Sequence, residues 1–402
     1  MSDTDFDIVC AKIDEEREYL NTVSQDIWTK PELQYKEFHA HAVLTAALTK
    51  YGFSVEKHYF MPTAFKGEYV SKRAGGATIA VLLEYDALPE IGHACGHNLI
   101  AESGLAAAIG IKTAMENDPK LAGKLVVFGT PAEEGGGGKI RLIELGAFEG
   151  VDAAMMVHPA KNTAASPNML SIIRCHLEYK GKEAHAAAYP WEGKNALDAA
   201  VACYNNISLL RQQIKPACRI HGIITKGGVA PNIIPGDTKM ELYVRAPTKG
   251  ELKGLQKRVE ACIKSAASAT GCEASFLFDE SNSYENLMTN KIMADIFTVY
   301  GERLGVDFDG DRKMDKQAGS TDMGNVSHTL PSIHPFFSIT DKYTNHTKEF
   351  TEASGSPNAQ EITLTMGKTM ALTALKIMRN PEIQEEITKQ FQRDLENDLK
   401  ID

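Results

Sequence analysis

The sequence predicts an α/β fold, a sheet covered by helices on both faces, with a smaller α+β unit inserted into it. Three features point there. TIAVLLEY (78–85), KLVVFGT (124–130) and DAAMMVH (152–158) are continuously apolar, as strands buried on both faces are. Helical patterns lie between them, so that strand, loop and helix alternate. Near residue 170 the strands change to apolar/polar alternation, and the first texture returns after about Tyr284. At 402 residues the chain exceeds what one core usually serves. The expected division is one α/β domain from residues 1–170 and 285–402 around an insertion at 171–284.

Each element follows from local pattern. Val9, Ile13, Leu20, Val23 and Ile27 fall on one helical face. Pro31 then breaks the chain before a second helix that stops near Gly52. After the first buried strand, LIAESGLAAAIGIKTAMEN (99–117) is an alanine-rich helix able to pack closely on a sheet, and KIRLIELGAF (139–148) is a further helix. The insertion has strands at MLSIIRCHLEYKG (169–181), CRIHGIITKGG (218–228) and DTKMELYVRAP (237–247), with long helices around 195–213 and 251–269. The α/β texture resumes with a helix at 291–305, a strand near HPFFSIT (334–340) and a helix through 361–378. The last ~20 residues are charged and helical in pattern, as a solvated end would be.

Composition narrows the function. An apolar fraction of 43% and a charged fraction of 24% are ordinary for a globular protein. No apolar run reaches the roughly 18 residues that span a bilayer. A net charge of -10 argues against nucleic acid or an anionic membrane as main partner. Seven scattered cysteines without a CxxC pair read as reduced thiols. With an acidic N-terminus lacking a basic and apolar leader pattern, the expected location is cytoplasmic.

Three polar clusters fall at the carboxyl ends of the predicted strands, where ligands collect in such sheets. In EIGHACGHN (90–98), Cys95 and His97 point the same way if the segment is extended, and His93 shares that phase. Gly92 and Gly96 would allow a sharp turn. A buried turn with a packed cysteine is the competing account, and a redox thiol lacks a resolving partner nearby. In PAEEGGGGK (131–139), adjacent Glu133 and Glu134 point in different directions, which suits one carboxylate as metal ligand and the other as base toward water. The glycine run lacks the pattern of a phosphate loop, since Ile140 follows Lys139. His158, at a strand end, and His346, in TNHTKEF (344–350), each read alone as rim or solvent-exposed residues. Together the thiol, imidazoles and carboxylates form a ligand set for one or two divalent ions per subunit, zinc being favoured by thiolate and imidazole, with manganese or cobalt as substitutes.

The stretches PELQYKE, EYDALP, GHACGHN, PAEEGGGGK, GKEAHAAAYPWEGKNALDAA, GGVAPNIIPG, VRAP, AGSTDMGNVS and NHTKEF cover most of the chain. In this order they resemble the zinc aminoacylase and carboxypeptidase family, peptidase family M20, in its amidohydrolase branch. The resemblance implies that Cys95, His97, Glu134, His158 and His346 are metal ligands, that Glu133 is the general base and that Asp86 supports the metal site. It makes the insertion a lid and dimerisation domain, in which His185 stabilises the oxyanion, often across a homodimer, while Asn232 and Arg245 hold the substrate's terminal carboxylate. Asn98 stands where many amidohydrolases have Asp, and Glu84 where the peptidase branches have a metal-binding histidine, so Glu84 is not counted as a ligand. The implied activity is hydrolysis of a dipeptide or N-acyl amino acid amide bond, in particular of dipeptides ending in Lys, Arg or ornithine. Asp322 and Glu102 are candidates to receive that basic side chain. The alternatives are an N-acyl amino acid or p-aminobenzoyl-glutamate amidohydrolase and, more remotely, a non-catalytic metal-binding scaffold, which has no need of Glu133.

Overall fold

A computed structural model describes residues 3–308 and 319–400, so that of AGSTDMGNVS only Ala318 lies outside the described residues. Its contacts separate two units, Met1–Asn168 with Leu287–Leu395 and Met169–Asn286 with Glu396–Asp402. The first unit begins with α1 (Asp3–Glu15), α2 (Arg17–Thr29), α3 (Phe38–Lys50), β1 (Ser54–Lys57), β2 (Phe65–Val70), β3 (Arg73–Leu83) and α4 (His97–Asn117). It continues with β4 (Ala122–Gly129), α5 (Gly138–Glu144), β5 (Ala153–Met155) and β6 (His158–Ala160). The second unit holds β7 (Ser171–Lys180), α6 (Ala196–Leu210), β8 (Arg219–Lys226), β9 (Asp237–Ala246), α7 (Lys249–Thr270) and β10 (Glu273–Phe278). The chain then returns through α8 (Lys291–Arg303), α9 (Met323–Ser327), β11 (Ser332–Ile333), β12 (Phe336–Ser338), α10 (Lys348–Ser354), α11 (Gln360–Met378) and α12 (Pro381–Asp398).

The first unit is built on a six-stranded sheet of order β1-β2-β4-β3-β5-β11. Its β4, β3, β5 and β11 run parallel, while β1 and β2 add an antiparallel edge. Successive side chains of β3 enter opposite cores. Ile79, Val81 and Leu83 join one with residues of α1, α2, α3, α4, α8 and α11, and Ala80 and Leu82 join the other with Leu142 of α5 and Met323 and Val326 of α9. All five are fully buried, worth about 1.5–3 kcal/mol for each of the larger side chains. Two-sided burial is why these strands are continuously apolar.

Two segments of the first unit that read as single elements are divided. Val9 to Ile27 is not one helix but two, divided at Glu16 (φ -90, ψ 4), with all five apolar positions still buried. DAAMMVH is not one strand either. Pairing with β11 ends at Met155, and the chain resumes at His158 as β6, which pairs with β12 in a separate two-stranded sheet. Pro335 lies opposite the break and has no N–H to continue a ladder, although its carbonyl accepts from the His158 N–H at 2.9 Å.

The second unit is an antiparallel sheet of order β10-β7-β9-β8 with α6 and α7 packed on it. In β9, Thr238, Met240, Leu242, Val244 and Ala246 are buried and alternate with exposed or half-buried neighbours, the pattern of a sheet with one covered face. Asn195 and Thr248 cap α6 and α7 through side-chain oxygens. β10 was not among the strands expected; it pairs with β7 from Glu273↔Lys180 to Phe278↔Cys175. The seven cysteines are all free. Among the described residues no helix is long and apolar enough to cross a membrane.

Candidate metal centre

The site forms where β3 and β4 end. Asp86, just beyond β3, uses both carboxylate oxygens: Oδ1 lies 3.0 Å from His97 Nδ1, and Oδ2 accepts from the Glu134 N–H at 3.0 Å. One side chain thus orients an imidazole and fixes the loop that carries the paired glutamates. Between them, Gly96 has φ +77, and a Cβ there would stand 2.5 Å from Pro159 Cγ, so only glycine lets the chain turn from Cys95 into α4. The turn brings Cys95 Sγ to 3.5 Å from His158 Nε2. His158 Nδ1 meets the Pro159 carbonyl at 2.7 Å, which assigns the ring proton to Nδ1 and leaves Nε2 as a donor atom facing the thiol.

The glutamate loop is tied down at several points. Glu37 accepts from the Ala132 N–H at 3.0 Å, and the Tyr35 hydroxyl donates to the Gly136 carbonyl at 2.5 Å. Asp322 accepts from the Lys139 N–H at 2.9 Å. A Cβ on Gly138 would stand 1.8 Å from the Pro131 carbonyl oxygen, so the run folds back on itself and makes no phosphate cradle. Ala132 (φ 61), immediately before Glu133, and His346 (φ 68) are non-glycine residues in the left-handed region, a strain that concentrates at functional sites. His346 Nε2 approaches Glu134 Oε2 at 3.4 Å, and His97 Nε2 lies 3.8 Å from Glu134 Oε1.

Cys95, His97, Glu134, His158 and His346, together with Glu133, are therefore brought to one place. Their candidate ligand atoms fall in overlapping groups within 4.8 Å: Cys95 with His97 and His158, Cys95 with Glu134 and His346, and His97 with Glu133 and Glu134. Burial drives the Cys95 thiol well above its usual range, with Glu134 adding to it. His158 is pushed down to about 4 by burial and by His97, so it stays neutral. Burial would also lower His97, but Asp86 outweighs it and raises the imidazole well above its usual value. Glu133 is raised well above the usual carboxylate range by burial and by Glu84, Glu134 and Asp322. Burial also opposes ionisation of Glu134, but His346 and His97 overcome it and hold this carboxylate low.

The donor set fits a cation. His97 Nε2, Glu134 Oε1 and Glu84 Oε2 are buried and make no hydrogen bond, and such orphans cost about 1–3 kcal/mol each when nothing compensates them. His93 belongs to the scaffold: it is buried, with Nε2 3.2 Å from the Ile27 carbonyl. Asn98 is also structural, donating through Nδ2 to Ser24 Oγ and the Ser354 carbonyl. Asp322 and Glu102 do not serve as acids for a substrate side chain. Both are fully buried, Asp322 against Lys139 and Glu102 against Gln360.

In the second unit, His185 and Asn232 are brought together. His185 bridges Ile233, and the Asn232 carbonyl accepts from the Ala186 N–H at 3.1 Å. The exposed His185 ring accepts at Nδ1 from the N–H groups of Ala187 and Ala188, at 3.3 and 3.2 Å. Arg245 is not with them. It sits half-buried near the other end of β9, opposite Ile172 and Arg219, and from Asp237 to Arg245 the strand runs about 26 Å. One chain's Asn232 and Arg245 do not meet on one carboxylate.

Thiol, imidazole and carboxylate donors around a second carboxylate, at the strand ends of a helix-covered sheet, are the groups a metallopeptidase centre requires, and the chain belongs to the M20 peptidase family, whose members hydrolyse amide bonds. It is 46% identical over 400 residues to human Xaa-Arg dipeptidase and 45% over 399 residues to the mouse protein, in both cases across 96% of this chain and 92% of the relative. Residues 170–271 match the model of the family's peptidase dimerisation domain. The fold is similar to that of a dinuclear metal-binding M20 peptidase from Bacillus subtilis, with a TM-score of 0.71 at 19% identity over 90% of this chain and 99% of the other.

Glu84 is the residue that sequence reasoning set aside and the structure brings in. Its Oε2 lies 3.5 Å from His97 Nε2, and its other oxygen contacts Lys139. The two-residue spacing to Asp86 was the available signal, since both lie beyond the same buried strand.

Proposed function

We propose that the protein is a metal-dependent dipeptidase that releases a C-terminal basic residue, Arg, Lys or ornithine. The observation that carries this reading is the convergence of five candidate ligands, Cys95, His97, Glu134, His158 and His346, beside a separate buried carboxylate, Glu133. The names of the 45–46% identical relatives support the arginine preference. Thiolate and imidazole favour zinc, with manganese or cobalt as substitutes and one or two ions per subunit. When bound, such an ion supplies Lewis acidity toward the scissile carbonyl and toward water. Glu133 takes the proton of the attacking water and delivers it to the leaving amine, a role suited to a carboxyl whose proton affinity is raised. Asp86 keeps His97 in one tautomer through Nδ1.

His185 is our candidate for the oxyanion. Because Nδ1 accepts from backbone, the neutral ring carries its proton on Nε2, ready to donate. Arg245 is suited to fork onto the substrate carboxylate. We further propose a homodimer formed through the second unit. β8 is an edge strand with Ile223 and Ile224 exposed, and α6 exposes Val201, Tyr204 and Leu209. A panel of β-alanyl and glycyl dipeptides ending in Arg, Lys, ornithine, Ala or Glu, with N-acyl amino acids and p-aminobenzoyl-glutamate, tests the substrate class. The highest kcat/KM is expected for the basic dipeptides, and faster turnover of the acyl or glutamate substrates would overturn it.

A further inference from the structure

Beneath the candidate ligands lies a buried ionic group that the mechanism above does not use. Lys139 Nζ donates to Asp322 Oδ1 at 2.7 Å and to Glu84 Oε1, and all three side chains are completely enclosed. Asp322 also accepts from the Lys139 backbone N–H, so the lysine is anchored at both ends by one carboxylate. Lys139 thereby occupies one oxygen of Glu84 and turns the carboxylate in a fixed sense. The second oxygen, Oε2, makes no hydrogen bond and faces His97 Nε2, which is equally without one.

Charge and distance both bear on what lies between these two atoms. One ammonium against two carboxylates leaves a buried negative charge, and an uncompensated charge is costly in such surroundings. A direct charge-assisted bond from the imidazole would close to about 2.7–2.9 Å, whereas the observed separation is 3.5 Å. Donors bound about 2.1 Å from one ion at tetrahedral angles stand roughly 3.4 Å apart. His97 Nδ1 is already committed to Asp86, so Nε2 is the nitrogen that faces the ion.

We propose that Glu84 is a further metal ligand of this protein, beside His97, and that the Lys139–Asp322 pair is the device that aims it. The inference rests on the metal-centre reading. It adds an anionic ligand just beyond β3, and with it a negative charge that strengthens retention of the ion next to His97.

The test is divalent-ion binding by the full-length protein, stripped with chelator and reloaded with zinc, followed by competition with a chromophoric chelator and elemental analysis. Glu84→Gln keeps an oxygen for Lys139 and leaves the Lys139–Asp322 pair neutral. It is expected to weaken one ion at least tenfold. Glu84→Asp keeps the charge but withdraws the oxygen by one methylene, and it should also weaken that ion. Wild-type affinity and stoichiometry in Glu84→Gln would overturn the assignment, as would weakening in Glu84→Gln with none in Glu84→Asp, since charge alone would then suffice. Circular dichroism melts of the stripped proteins separate loss of the ligand from loss of the fold. Absence of zinc binding by the wild-type protein would refute the metal reading itself, a different result from either.

Discussion

Glu133 and Glu134 are sequence neighbours with opposed proton affinities. Burial acts against ionisation of both, but Glu134 faces His346 and His97, while Glu133 faces the carboxylates of Glu84, Glu134 and Asp322. Carboxyl pairs whose surroundings push them apart are how one site acquires both a fixed anion and a proton acceptor. Glu133→Gln should therefore keep bound metal and lose roughly 10²–10⁴ in kcat. Cys95→Ala and His158→Ala should instead lower bound metal. Elemental analysis beside steady-state kinetics distinguishes the two, and near-normal turnover of Glu133→Gln would remove it as the base.

Between helices the protein carries a second buried acid that has no cation beside it among the described residues. Glu102 of α4 is fully buried, with Gln360 of α11 donating to it at 3.2 Å, and burial raises it to about 7 while Ser24 and Gln360 hold it down only in part. In the unfolded chain its pKa is about 4.3. The folded value lies above the unfolded one, so this group's stabilising contribution is complete below about pH 4.3 and lost as pH rises to about 7, in total about 4 kcal/mol. Glu102→Gln should flatten that part of the pH profile between pH 5 and 7 and raise the stability of chelator-treated protein at pH 8. Urea melts at matched pH measure it, and an unchanged slope would show that Glu102 is ionised in the fold. At this scale the sequence was legible wherever one period ruled. The apolar runs of β3 and β4 and the helical face of Val9 to Ile27 announce their burial, and PAEEGGGGK and GHACGHN announce chemistry at strand ends. What pattern does not carry is pairing across long separations. The shift from β5 to β6 depends on Pro335 opposite, and the fixing of Glu84 depends on Lys139 and Asp322, residues far apart in the chain. Asp322 and Glu102 looked available to a substrate because sequence does not register that each already has a buried partner.

For the whole molecule, the decisive geometry is in the second unit. The family resemblance makes His185, Asn232 and Arg245 parts of one binding surface. In the fold, the first two lie together beyond the Lys180/Asp237 end of the sheet and Arg245 lies near the opposite end, about 26 Å along β9. If all three serve one substrate, two copies of the chain must contribute, one offering Arg245 and the other the His185–Asn232 pair. A two-fold dimer supplies that arrangement twice. Complementation then has a definite outcome. His185→Ala and Arg245→Ala, each alone, should lose roughly 10²–10³ in rate for the histidine and mainly raise KM for the arginine. Unfolded and refolded together, the two variants form heterodimers in which one site carries both substitutions and the other carries neither. Random pairing should restore about a quarter of the wild-type activity. No recovery in mixtures that do contain heterodimers, verified by tagging one variant and measuring mass in solution, would mean that both residues serve a site from the same chain or that one of them serves none.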